Sequence, residues 1–82
     1  MQIQKLSFNG YLLIGQKKYN TSDIKRIQMQ KKDCWETEII TNDDKTTVNA
    51  CSRVQAENDY ARILAAYTAA SANPNVTIKA SL

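Results

Sequence analysis

Residues 34–72, CWETEIITNDDKTTVNACSRVQAENDYARILAAYTAASA, read as a β-hairpin followed directly by a capped, amphipathic helix. Side chains alternate between the two faces of a strand. With Asp43 and Asp44 at the turn, Thr41 faces Thr46, Ile39 faces Val48 and Thr37 faces Ala50. One face then carries Trp35, Thr37, Ile39, Thr46, Val48 and Ala50, and it is the core candidate, with Trp35 its largest apolar surface. The other face carries Cys34, Glu36, Glu38, Ile40, Thr47, Asn49 and Cys51. Glu36 and Glu38 belong in water there unless they find a cationic partner. Asn and Asp tolerate positive φ and bond their own backbone, so Asn-Asp-Asp-Lys suits the turn. A one-residue slip of register would exchange the faces and put the glutamates inside.

The helix signal is stronger. Ser52 and Gln55 have capping-box spacing, in which each side chain satisfies a free N–H at the helix start. Glu57 and Asp59 lie toward the positive end of the helix dipole. Ala56, Tyr60, Ile63, Tyr67 and Ala70 recur at spacings of four and three, and Leu64 widens the stripe, which should lie on the sheet. The alanine-rich second half favours helix and admits close approach of another backbone. Asn73 and Pro74 end it, because proline disfavours helix at the residue before it.

Outward from this centre the elements are smaller. Asn9-Gly10 is a strong hairpin signal, and pairing about it sets Phe8 opposite Tyr11 and Leu6 opposite Leu13. Leu12 and Ile14 point the other way, so the strand is apolar on both faces. That suggests a central position, or a face covered by a second subunit. Gly15 marks a bulge or bend, and residues 16–20 are polar and basic. Thr21-Ser22-Asp23 reads as a turn or one helical turn with a Ser or Thr cap. Ile24, Ile27 and Met29 lead a strand ending at Lys31-Lys32-Asp33. In the tail, Val76, Ile78 and Ala80 alternate with Thr77 and Lys79. This strand closes the sheet beside the N-terminal strand or adds to a neighbouring subunit's edge. The expected fold is α+β in a single domain. A mainly antiparallel sheet of about five or six strands packs against one helix at residues 53–72, followed by a short strand.

Composition bounds the rest. The 82 residues are 43% hydrophobic and 23% charged, those of an ordinary folded domain with a small core. No apolar run approaches the ~20 residues of a membrane span, and MQIQKLSF lacks the apolar segment of a signal peptide. The expected compartment is the cytoplasm of a cell or infected host. Histidine is absent, so acid–base and triad arrangements lose their commonest member, and two cysteines cannot complete a zinc site. In the register above Cys34 and Cys51 share a face but sit diagonally, roughly 7–8 Å apart, which is long for a disulfide. Free thiols are the expectation, with bridges within or between chains as alternatives. Glu36 with Glu38, and Asp43 with Asp44, are read as a solvated face and a turn rather than an acid–base pair. The two glycines form no phosphate loop. Neither an enzyme, a cofactor nor a metal is expected.

The net charge is +3, unevenly spread. Residues 1–32 carry seven basic side chains against one acid, whereas residues 33–62 carry seven acids and three bases. Edge-strand lysines explain part of this. A front surface for an anionic ligand or nucleic acid is the sharper reading, and self-association of front with middle is a third. The candidates for an anion or ligand site are Lys17, Lys18, Tyr19, Lys25 and Arg26. The candidates for an oligomer interface are Leu12, Ile14, Ala66, Ala69, Val76 and Ile78.

Residues 19–72 resemble a recurrent pattern in small bacterial and phage proteins. It is carried by Tyr19, Asp23-Ile24, Ile27, Trp35, Ile39, Asp43-Asp44, Val48 and the helix from Arg53. The stretch is also similar to the C-terminal half of bacterial PH-like domains, whose last strands are capped by one helix. A full PH-like barrel needs seven strands before its helix, and this chain is too short for that. The resemblance implies a scaffold with a binding role and no chemistry of its own. The function expected is a small non-enzymatic binding module that is homo-oligomeric. It would serve as a phage or mobile-element accessory protein that binds a host protein or sequesters a small anionic ligand such as a nucleotide. The alternative is nucleic-acid binding through residues 17–32.

Overall fold

A computed structural model describes residues 10–82. The pairing expected of residues 3–8 about Asn9-Gly10 lies outside them. The elements are β1 (Tyr11–Ile14), β2 (Lys17–Asn20), a 3-10 turn (Thr21–Asp23), β3 (Ile24–Lys31), β4 (Trp35–Thr41), β5 (Lys45–Ala50), α1 (Arg53–Ala72) and β6 (Thr77–Ala80). The fold is α+β as expected, but the described strands form two three-stranded sheets rather than one, in the orders β2-β1-β6 and β3-β4-β5. The 3-10 turn stands between β2 and β3, which lie in different sheets. The Asn20 side chain caps it, accepting from the Ser22 N–H, where a Ser or Thr cap was expected.

Gly15 is neither bulge nor bend. With Gln16 it forms the two-residue connection between β1 and β2, and its φ of 61° suits the first position of a type II′ turn. β1 is the central strand of its sheet, antiparallel to β2 and parallel to β6, with Leu12 opposite Tyr19 on one side and Ile78 on the other. That position explains why it is apolar on both faces.

In the second sheet, Trp35 pairs with Ala50, Thr37 with Val48 and Ile39 with Thr46. The register differs by two residues from the one expected, because Asn42 and Asp43 occupy the turn centre. Thr41 and Asp44 close the turn through the Thr41 N–H to the Asp44 carbonyl (2.9 Å) and the Asp44 N–H to Thr41 Oγ1 (3.0 Å). A two-residue shift preserves the faces, so Thr37, Ile39 and Ala50 are buried as expected. Trp35 is not the centre of the core. It lies half-buried at the sheet's end, with Lys31 Nζ 5.8 Å and Arg53 Cζ 5.9 Å from its ring centroid. The ladder of β3 shifts between Ile24 and Arg26, leaving both Lys25 and Arg26 exposed.

α1 lies against both sheets. Ser52 caps it, accepting from the Gln55 N–H at 3.2 Å. The reciprocal half of the box is absent, since the Gln55 amide donates to Asp59 Oδ1 at 2.8 Å. The buried line runs through Ala56, Asp59, Ile63, Ala66 and Ala70, with Tyr60, Leu64 and Tyr67 half-buried beside it. Alanines at the centre let the backbone approach the sheets and push the large side chains to the flanks. The core is Leu12, Ile39 and Ile63, each 0% exposed, joined by Ile14, Tyr19, Ile24, Ala66 and Ala80.

Gly10 ties the sheets to the helix end. Its carbonyl accepts from both the N–H and the hydroxyl of buried Thr21, each at 3.1 Å. A Cβ at Gly10 would stand 2.0 Å from the Ala70 carbonyl oxygen and 2.5 Å from that of Asn73. The helix stops at Asn73, and Pro74-Asn75 turns the chain into β6. Asn75 has φ 62°, the left-handed conformation a type II turn requires after proline.

The outer face of β4 holds Glu38, 2% exposed although a glutamate was expected in water there. The condition set for burial is met. Gln28 Nε2 and Gln30 Nε2 each donate to its carboxylate at 2.7 Å, and Lys45 Nζ lies 3.2 Å away. The Gln28 bond foremost, then the bond and charge of Lys45, hold the carboxyl below its ordinary range against the upward push of burial. A carboxylate depressed by folding stabilises above its unfolded pKa, and that contribution is lost as pH falls through the folded value. The urea midpoint of the parent should therefore drop as pH falls from about 5 to 3. Glu38→Gln should start lower at neutral pH and show a flatter dependence.

Candidate functional site

The anion-site candidates are not gathered into one cationic surface. β2 brings Lys17, Lys18 and Tyr19 to one wall of a cleft of about 230 Å³, whose other wall is the turn between β4 and β5, residues 41–44, with Asn20 and Asp23 completing it. Lys17 is already engaged there. Its ammonium donates to Asp44 Oδ2 at 2.5 Å and to Thr46 Oγ1 at 3.1 Å. The Tyr19 ring is buried and its hydroxyl donates to Thr46 Oγ1. Lys18, on the opposite face of β2, lies 4.4 Å from the Tyr11 ring centroid. Lys25 and Arg26 stand on the exposed bulge outside the cleft lining.

The electrostatics follow from that pairing. The hydrogen bond to Asp44 raises the pKa of Lys17, opposed by desolvation, while the same bond and the Lys45 N–H lower that of Asp44. Both groups are exposed, so the pair links the two sheets more than it stabilises them. Its contribution fades as pH falls through the folded value of Asp44, or rises through that of Lys17. Lys17 and Lys18 share the lining with Asp23, Asp43 and Asp44, so the cleft is not an anion trap. No group of three or more histidine, cysteine or acidic side chains suited to a metal occurs among the described residues.

The acidic wall was missed by reasoning from the basic stretch alone. The signal for it was the charge split between the front and middle of the chain. The structure resolves part of that split internally, through Lys17 with Asp44 and Lys32 with Glu36 at 3.6 Å.

A second surface lies between α1 and β6. Arg62, Ala65, Ala66, Ala69, Ile78, Lys79 and Ser81 line an open, mainly apolar groove of about 330 Å³. Three of the interface candidates, Ala66, Ala69 and Ile78, meet here, and Val76 is exposed just before β6. Leu12 and Ile14 do not reach it, because both are buried in the chain's own core, and Ala66 is itself only 6% exposed. Arg62 and Lys79 give the groove a basic rim, and Arg62 Nη1 donates to the Ser81 carbonyl at 3.1 Å. The alanine-rich second half of the helix was the sequence signal for this face, and Ala65 joins Ala66 and Ala69 in lining it.

No helix among the described residues is long and apolar enough to cross a membrane. No protein-family model, curated protein or solved structure matches the chain.

Proposed function

We propose that the chain is a non-enzymatic binding module that works as a homo-oligomer, with the groove between α1 and β6 as its subunit contact. The observation that carries this reading is the meeting of Ala65, Ala66, Ala69 and Ile78 in one open apolar surface. Small side chains permit close backbone approach, and a domain of this size gains from burying more apolar area. Light scattering at micromolar concentration should return a multiple of the subunit mass. Ala69→Glu, which puts a charge in the groove, should return the subunit mass with the circular dichroism spectrum unchanged. A monomeric parent overturns the reading. Beyond the subunit contact, the module would bind a host protein or a small anionic ligand. An anion would have to be held by Lys18, Lys25 and Arg26, since Lys17 is engaged by Asp44.

A second reading, nucleic-acid binding, is favoured by one observation: Lys31 and Arg53 both lie within 6 Å of the half-buried Trp35 ring. Aromatic faces among cations are what single-stranded nucleic acid stacks on. Binding of that kind falls steeply with salt, and Trp35→Ala should weaken it more than Lys17→Ala does.

A further inference from the structure

We infer that Cys34 and Cys51 form a cross-strand dithiol site that a small disulfide oxidises to an intramolecular bridge. The two-residue register shift of the β4–β5 hairpin is the reason. The ladder ends with Trp35 opposite Ala50, and both cysteines stand in bends directly beyond the strand ends; one further step of the same register would set Cys34 opposite Cys51, on the outer face that carries Glu36 and Asn49. Bonded and non-bonded pairs alternate along an antiparallel ladder. Thr41 donates to the Asp44 carbonyl, so that pair is of the bonded type, and counting back from it places Cys34 and Cys51 at a non-bonded pair. Such pairs hold their Cα atoms about 4.5 Å apart with side chains close together, inside the range a disulfide spans. Both thiols are free and exposed, open to a reagent from solution. The local backbone is held on both sides. The Lys32 N–H donates to the Cys34 carbonyl at 2.9 Å, and Cys51 directly precedes the helix cap Ser52.

The chemistry is thiol–disulfide exchange with a low-molecular-weight disulfide such as oxidised glutathione. One protein thiolate attacks a glutathione sulfur, forming a mixed disulfide and releasing one glutathione thiolate. The facing protein thiolate then attacks the protein sulfur of that mixed disulfide and expels the second. The protein loses two electrons, one oxidised glutathione becomes two reduced molecules, and the two thiol protons end on the two leaving thiolates. The bridge would tie the β3–β4 loop to the start of α1, beside Trp35 and Arg53.

The test is incubation of the whole chain in glutathione buffers of rising oxidised fraction, followed by maleimide alkylation and intact-mass measurement. The expected product is a single chain lighter by two hydrogens, carrying no maleimide and reverting in reduced glutathione. Its melting temperature should stand roughly 10 °C or more above that of the reduced chain. Cys34→Ser and Cys51→Ser should each stop at one glutathione adduct, with no such gain. Both thiols still alkylated in oxidising buffer, a parent that stops at glutathione adducts, or bridging only between chains would each overturn the inference.

Discussion

Gly10→Ala should cost the domain about 3 kcal/mol or more, the upper range of overpacking. The added methyl meets backbone, the carbonyls of Ala70 and Asn73, and backbone at a helix end cannot rotate aside as a side chain can. Relief would require the helix end to lift from β1 or Gly10 to release Thr21. For a chain of this length total stability is on the order of 4–12 kcal/mol, so the loss is a large share of it. Gly15→Ala is the control. Nothing lies within 4 Å of a Cβ there, but φ is +61°, so the cost should be about 1 kcal/mol, that of a left-handed residue. Urea melts of the two variants should differ clearly in midpoint. A Gly10→Ala midpoint close to that of the parent would remove the contact from the account.

Ile63→Ala should be the second large effect, with a loss of about 3–4 kcal/mol. Ile63 is fully buried in one cluster with Leu12 of β1 and Ile39 of β4, so its truncation opens a void between the helix and both sheets. Trp35→Ala should cost less, about 1–2 kcal/mol, because the indole is half-buried and gains chiefly from rim packing and the nearby cations. Side-chain size alone would reverse that order. Denaturant midpoints showing Trp35→Ala the more damaging would mean that the core is centred elsewhere.

These two predictions also mark where the sequence was legible. α1 was readable to its last residue, since Ser52 and Asn73-Pro74 are local signals that act on their own neighbours. The faces of the β4–β5 hairpin were readable because alternation survives a two-residue shift. The register itself was not. Thr41 and Asp44 close the turn with side chains as well as backbone, and composition alone does not say which two of Asn42, Asp43 and Asp44 stand at its centre. Gly10 was read as a turn residue, whereas its indispensable property is a missing side chain facing residues 70–73. That information is not local. The candidate site fared in the same way. The lysines of β2 were visible, but the pairing of Lys17 with Asp44 depends on how the two sheets meet. Ala66, Ala69 and Ile78 were chosen for separate reasons, and their meeting depends on the parallel pairing of β6 with β1.

That parallel pairing sets an order of assembly. β3, β4 and β5 join through two short hairpins, so their sheet can form as soon as they leave the ribosome, and α1 follows directly. β1 is made earlier than any of these, yet among the described strands β2 is its one neighbour until residues 77–80 are free to pair with it. Non-local closures of this kind slow folding. Until then the edge of β1 that β6 takes in the folded chain lacks that partner, and an unpaired apolar strand edge is the state most exposed to pairing with another chain. The sheet whose central strand is made first is the one completed last.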